Sequence, residues 1–339
     1  PGPGAKEAFA GQGDDIVIAG EDATALNGNE GDDWLEGGGA ADLLVGDNDD
    51  PFDLTPIYGN DVFIGGGGDD TVRGEYGDDI ILGAEAADSI DGGRGFDWLG
   101  FAGAASGIVA DFWVFDIDAV EGLSGSAGDD VLRGDDSAAD GLADAGLIAG
   151  LAALLGTDSF AGGNIILGGA GNDRIEGRGG DDVLHGDAAL QVVLTMRAPG
   201  GQILREIVIA EVGGDDMLVG GAGADTLIGG AGADRFDYRA ASEGGDLIRD
   251  FTPGEDLIAV SAWGFGGGLA SWVPLEARQF TANATGLSNA DAGVGQFVYR
   301  TTDGSLLWDA DGMAKGAAVL IARLEGLPAL SAADIIVIG

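Results

Sequence analysis

From residue 56 to 100 the chain repeats every nine residues. In one frame the text reads PIYGNDVFI, GGGGDDTVR, GEYGDDIIL, GAEAADSID and GGRGFDWLG. Glycines crowd the first half of each nonad. Asp holds position six (Asp61, Asp70, Asp79, Asp88, Asp97), and a large apolar residue holds position eight (Phe63, Val72, Ile81, Ile90, Leu99). Neither a helix nor an isolated amphipathic strand has this period. Glycines let the first six residues turn through positive φ and present backbone carbonyls. The last three are extended, so position eight faces one way and positions seven and nine the other. One turn cannot bury its apolar residue alone, so turns must stack. The prediction is an all-β parallel β-roll or β-helix, with loops on the same edge two nonads apart. Asp61, Asp79 and Asp97 then line one edge, and Asp70 and Asp88 the other.

The same frame governs residues 10–45, with Asp15, Asp33 and Asp42 at position six and Thr24 replacing Asp in one nonad. Residues 46–55 break the frame by one residue and read as a lengthened turn. Further on, Asp130, Asn164, Asp173, Asp182, Asp216, Asp225 and Asp234 occupy position six. Sixteen nonads result, fourteen with Asp at position six and all sixteen apolar at position eight. Each inward residue is worth ~1.5–3 kcal/mol when buried, so this column is the expected core.

The organisation expected is a first roll block at 10–100, connecting strands at 101–124 and a second block at 125–237. Within the latter, 134–158 interrupts the frame with Leu142, Ile148, Leu151, Leu154 and Leu155 at helical spacing. Residues 186–210 interrupt it with two β-rich arms around PGG, a hairpin signal. Residues 101–124 read as a pair of strands that widens the sheet. Residues 238–339 read as a β-rich cap.

Composition says what the stacking must overcome. Asp plus Glu number 59 against 15 Lys plus Arg, a net charge of −44. Such a chain repels itself and is a poor partner for nucleic acid or an anionic membrane. No apolar run is long enough to span a bilayer. A hard cation held between stacked loops by carboxylates and carbonyls answers the repulsion, and Ca²⁺ fits better than Mg²⁺, which demands a tight octahedron with several waters. The expected ligands are the position-six side chains Asp15, Asp33, Asp42, Asp61, Asp70, Asp79, Asp88, Asp97, Asp130, Asn164, Asp173, Asp182, Asp216, Asp225 and Asp234. The loop glycines Gly65, Gly66, Gly68, Gly168, Gly169, Gly171, Gly220, Gly221, Gly223, Gly229, Gly230 and Gly232 contribute through the backbone. Roughly 8–12 ions follow from the number of stacked loops. Asp246, Asp250 and Asp256 are candidates for one more at the end of the roll, and Asp309 and Asp311 sit in a polar turn.

The nonads match the calcium-binding RTX repeat pattern. The run GGAGADTLIGGAGADRFDY followed by GDLIRDFTPGEDLI resembles the RTX C-terminal region of serralysin-type metalloproteases and other secreted proteins. Residues 238–339 resemble a type I secretion target region. That resemblance implies export of an unfolded chain by the type I secretion apparatus and folding outside the cell on calcium. It accounts for PGPGAKEAF lacking the apolar core of a signal peptide; a chain cut from something longer accounts for it equally. WLEGGGAADLLVGDNDDPFDLTPIYGNDVFIGG and VEGLSGSAGDDVLRGDD are similar to the RTX part of large secreted proteins that also carry a haem-peroxidase domain.

No catalytic site is expected. There is no Cys and no HExxH, and the one His, His185, stands at a strand position. The function expected is a secreted calcium-binding module acting as a folding and secretion part or as an extracellular scaffold. The alternatives are a self-assembling surface-layer protein or adhesin and the accessory region of a secreted enzyme. The adhesin reading draws on one apolar outer face (Val62, Ile64, Ile80, Leu82, Trp98, and again Ile165, Leu167, Val183), as a surface for self-association or a cell-surface partner. Ice binding needs a regular row on one loop edge, and position five (Asp14, Ala23, Asp32, Ala41, Asn60, Asp69, Asp78, Ala87, Phe96) reads as irregular.

Overall fold

The computed structural model describes residues 6–47, 59–83, 88–101, 104, 106–112, 117–118, 120–135, 163–195, 204–313 and 316–339. The helix expected at 134–158 therefore falls largely outside the described residues. Successive nonads feed opposite sheets of a parallel roll. One sheet has fourteen strands; starting at Ile16–Ile18 it runs through Trp34–Gly38, Val62–Gly66, Ile80–Leu82, Trp98–Gly100, Gly122–Ser124, Ile165–Leu167, Val183–His185 and Thr226–Ile228 into the C-terminal region. Facing it are two shorter sheets. A six-stranded sheet spans Lys6–Gln12 to Ile117–Asp118, and a seven-stranded sheet spans Val109–Asp111 to Ile335–Ile338.

The register follows the arithmetic of the repeat. Thr71 pairs with Ser89 and Ile80 with Trp98, each two nonads on. Across the lengthened turn, Asp33 and Asp61 are stacked partners 28 residues apart rather than 18, so the extra chain adds no rung. Across the two later interruptions the offset becomes 43. The roll thus absorbs each insertion as an excursion from a loop while keeping its stacking. The hairpin is present as Ala188–Thr195 paired antiparallel with Leu204–Glu211.

The connector differs from its sequence reading. Instead of a pair, it supplies three strands, one to each sheet: Val109–Asp111 opens the seven-stranded sheet, Ile117–Asp118 closes the six-stranded one, and Gly122–Ser124 continues the fourteen-stranded one. The reason is geometric. The long sheet must stay continuous for the roll to bury its column, so only the opposite side can change sheets.

The core is that column. Leu26, Leu35, Leu44, Phe63, Val72, Ile81, Ile90, Leu99, Leu132, Ile166, Ile175, Leu184, Leu218, Leu227 and Phe236 are all buried in one cluster, which runs on into Phe297 and Trp308 of the C-terminal region. There the strands Gln296–Arg300, Ser305–Asp309 and Val319–Leu324 pair antiparallel, and the Phe297 and Trp308 rings lie 4.5 Å apart.

A second cluster lies on the outside of the long sheet. Val62, Ile80, Phe96, Trp98, Ile165, Leu167 and Val183 are buried together with Ala188 and Leu190 of the hairpin's first arm. The apolar outer face is thus covered at these positions, which removes them as a self-association surface. The opposite sheet is wet, with Arg73 and Asp91 exposed.

Removing a rung's inward side chain tests the stacking. Ile175→Ala leaves a void in a fully enclosed position and is expected to cost about 2–5 kcal/mol. Thr71→Ala on the wet face should stay within about 0.5 kcal/mol. Thermal melts in saturating calcium compare the two.

Candidate metal centre: two columns of buried carboxylates

The position-six side chains stack as two columns. Along the edge that feeds the long sheet, the Asp15 N–H donates to Asp33 Oδ1, Asp33 N–H to Asp61, Asp61 N–H to Asp79 and Asp79 N–H to Asp97, at 2.7–2.8 Å. Farther along, Asn164 N–H donates to Asp182 and Asp182 N–H to Asp225. The other edge runs Thr24 to Asp42, Asp42 to Asp70 and Asp70 to Asp88, then Asp130 to Asp173, Asp173 to Asp216 and Asp216 to Asp234. Every position-six residue named from the sequence stands in one of these columns.

One oxygen of each accepting carboxylate is thereby used; at many of them the other is not. Oδ2 of Asp33, Asp42, Asp79, Asp97, Asp173, Asp182, Asp216 and Asp225 is buried with no hydrogen-bond partner. A buried ionised oxygen without a partner is costly, and eight of them aligned along two edges demand a common answer. The glycines show what faces them. A Cβ on Gly28 would meet both Asp33 Oδ2 and the Gly46 carbonyl; on Gly168, both Asp173 Oδ2 and the Gly186 carbonyl; on Gly177, both Asp182 Oδ2 and the Gly220 carbonyl. Gly28, Gly168 and Gly177 thus each adjoin a point where a carboxylate oxygen and the position-one carbonyl of the next rung converge. A hard cation takes such a donor set. Among the described residues no three Asp, Glu or His side chains gather at one point, so any ligand shell here draws on the backbone.

The glycines divide the work. Gly65, Gly168, Gly220 and Gly229 at position one leave room for Oδ2 of the Asp five residues on. Gly66, Gly169, Gly221 and Gly230 at position two, and Gly68, Gly171, Gly223 and Gly232 at position four, hold φ between 96° and 153°, where a Cβ is strained. Three of the residues that replace glycine at position two, Asn29, Glu75 and Arg178, keep a positive φ, of 77°, 75° and 81°.

Burial dominates the electrostatics. It pushes Asp33 and Asp173 up to about 7, and Asp97, Asp182 and Asp216 to about 8, with neighbouring carboxylates adding to the rise. Burial pushes Asp225 to about 6. His185 is pushed down to about 4 by burial, and its Nδ1 accepts the Ala188 N–H, a structural role.

Sequence reasoning missed two features. Glu121 extends the first column, its Oε2 accepting the Asp97 N–H at 2.8 Å; the signal was an acid two residues before the buried Leu123. Position five forms a second ladder of opposite sense. Asp14 Oδ1 accepts from Asp32 N–H, Asp32 from Asn60, Asn60 from Asp78 and Asp78 from Phe96. The row reads as irregular only while the two edges are interleaved. Asp246 and Asp256 continue the columns by accepting the Asp225 and Asp234 N–H groups, whereas Asp309 accepts the Asp311 N–H in a turn.

Loop geometry yields a prediction of opposite signs. Glu75→Gly relieves a positive φ and is expected to stabilise the calcium-loaded chain by up to ~1 kcal/mol. Gly221→Ala is expected to destabilise it by at least ~1 kcal/mol, because the new Cβ also strikes the Arg178 carbonyl. Melting temperatures in saturating calcium report both.

Comparison with known proteins completes the picture. A family model described as the RTX calcium-binding nonapeptide repeat (4 copies) matches residues 18–52, 64–99, 123–138, 158–189 and 212–240. A search of curated proteins gave no match. Among solved structures, the extracellular lipase LipA from Serratia marcescens aligns over 93% of this chain and 40% of its own length, at 16% identity and a TM-score of 0.20; the chain spans less than half the length of that protein. The matched segments fall on the stacked nonads and their aspartate columns: the chain carries RTX calcium-binding nonapeptide repeats, stacked as a parallel β-roll.

Proposed function

We propose that this chain is a non-catalytic extracellular module whose roll assembles when calcium enters the two carboxylate columns. The observation that carries the reading is the set of buried, unpartnered Oδ2 atoms facing position-one carbonyls. The position-six side chains named above are the ligands, and roughly 8–12 ions would remove about two charges each from a chain of −44. Before calcium arrives, self-repulsion keeps the repeats open, the state a secretion channel requires. Export by a type I apparatus rests on the likeness of residues 238–339 to its target regions. The scaffold role is favoured over a self-assembling surface layer because the apolar outer face is buried at Val62, Ile80, Trp98 and Leu167.

Circular dichroism and sedimentation velocity in millimolar calcium and in EGTA test this. The expected result is a cooperative gain of β signal and compaction with calcium. A chain equally compact and ordered in both buffers would overturn the reading.

The pH dependence has a definite sign. The buried aspartates rise from an ordinary value of 3.8 to about 6–8 in the folded chain. A raised folded-state value means that protonation favours the fold. This contribution is complete below about pH 4 and is lost as pH rises through 6–8. In EGTA the chain should therefore be more ordered at pH 5 than at pH 8. Calcium competes with the same protons, so its apparent affinity should fall as pH drops from 8 to 6. Calcium titrations followed by circular dichroism at several pH values measure both.

A further inference from the structure

Three excursions leave the roll, after Gly46, Gly134 and Gly186, and each begins with an aspartate: Asp47, Asp135 and Asp187. In the sixteen nonads position two is never Asp. The position-one glycine is kept at each junction for the reason already given: a Cβ at Gly46 or Gly186 would strike Asp61 Oδ2 or Asp216 Oδ2, and at Gly134 it would strike Asn164 Oδ1. The chain therefore leaves the repeat frame after the second loop position and completes the same loop on its return, where Gly59 stacks on Gly31 and Gly214 on Gly171.

The junction aspartates lie at the points of departure, beside the position-six carboxylates. Asp47 is 2% exposed and is repelled first by Asp33, whose own Oδ2 is buried without a partner and converges with the Gly46 carbonyl. Asp187, also 2% exposed, bears on Asp173 and Asp216, both with unpartnered Oδ2 atoms. Its Oδ2 sits over Gly230 of the stacked rung. Asp135 bears on Asp182, again with an unpartnered Oδ2. Its N–H donates to Asn164 Oδ1, so it stands in the rung where position six has no charge. The connector after residue 100 starts with Phe101 instead, and there Glu121 supplies the carboxylate.

We infer that Asp47, Asp135 and Asp187 are calcium ligands, creating two-carboxylate sites at the three points where the chain leaves the roll. The inference rests on the calcium-binding reading above and adds three ligands outside the repeat motif. A purely structural role is the competing account: both Asp47 oxygens accept the N–H of Gly59, where the chain returns, at 3.2 Å. Asn at position 47 keeps an acceptor for that N–H and loses only the charge.

The test uses the full chain, freed of calcium and titrated with CaCl₂ by isothermal calorimetry and circular dichroism. The variants are Asp47→Asn, Asp135→Asn, Asp187→Asn and their triple combination, with Asp291→Asn, exposed in the C-terminal region, as control. Each single variant is expected to raise the calcium concentration at half-folding. The triple should raise it by about 10-fold or more and bind fewer ions, because ligand charge sets affinity, while the control matches the parent. Single variants with the parent's midpoint and ion count overturn the inference even if the triple does not fold. A parent chain that binds no calcium would instead sink the functional reading itself.

Discussion

A carboxylate between two stacked loops is the interaction on which this molecule depends. In each rung one oxygen of the position-six aspartate ties down the amide of the rung before it, as Asp79 does for Asp61. At Asp33, Asp42, Asp79, Asp97, Asp173, Asp182, Asp216 and Asp225 the other, Oδ2, is buried with no hydrogen-bond partner. The C-terminal region shows that this is not a general habit of the chain. Asp334, equally buried, accepts from Gly254 N–H with one oxygen and from the Ser331 N–H and hydroxyl with the other. The chain can satisfy a buried carboxylate when only structure is at stake. In the roll it leaves one oxygen for a cation.

That arrangement couples core to charge. The inward column from Leu26 to Phe236 is apolar and closely enclosed, but it exists only if successive loops, each bearing acids, sit one rung apart. At −44 the repulsion between loops opposes the burial that the column would otherwise drive. On the function proposed above, calcium would reverse the sign of the loop contacts and let the hydrophobic term act, as metals do wherever a binding site forms only on folding.

Much of this was legible in the sequence because the period fixes both edges and the inward column at once. Phe63, Ile81 and Leu99 could be assigned to one sheet, and Val72 and Ile90 to the other, from spacing alone. The hairpin was readable from its PGG turn between two β-rich arms. The connector was not, since residues 101–124 lack the glycine pattern and their three short strands belong to three sheets. Glu121 escaped notice because the motif was read as an aspartate column, although it precedes Leu123 at the same distance as any position-six acid. The position-five ladder was hidden for another reason. In the first block its order exists on one edge, where Asp14, Asp32, Asn60 and Asp78 are neighbours, while the alanines that broke the row lie on the other; in the second block that other edge carries it through Asp129, Asn172 and Asp215.

The two ladders point in opposite directions, and this bears on how the roll ends. Position six accepts from the preceding rung and position five from the following one, so an interior rung is bonded to both neighbours. At the first rung no such neighbour meets the glycines: a Cβ on Gly11 or Gly13 would contact nothing, whereas one on Gly31 would strike Gly13. At the far end the repeat is closed differently. Asp246 and Asp256 accept the last column amides, and the sheet passes into antiparallel strands around Phe265, Phe297 and Trp308, with the indole N–H on the Phe265 carbonyl. Antiparallel strands joined by tight turns satisfy their backbones locally and need no loop carboxylates. The change from parallel to antiparallel pairing is therefore also a change in what holds the chain together, from carboxylate ladders between loops to aromatic packing.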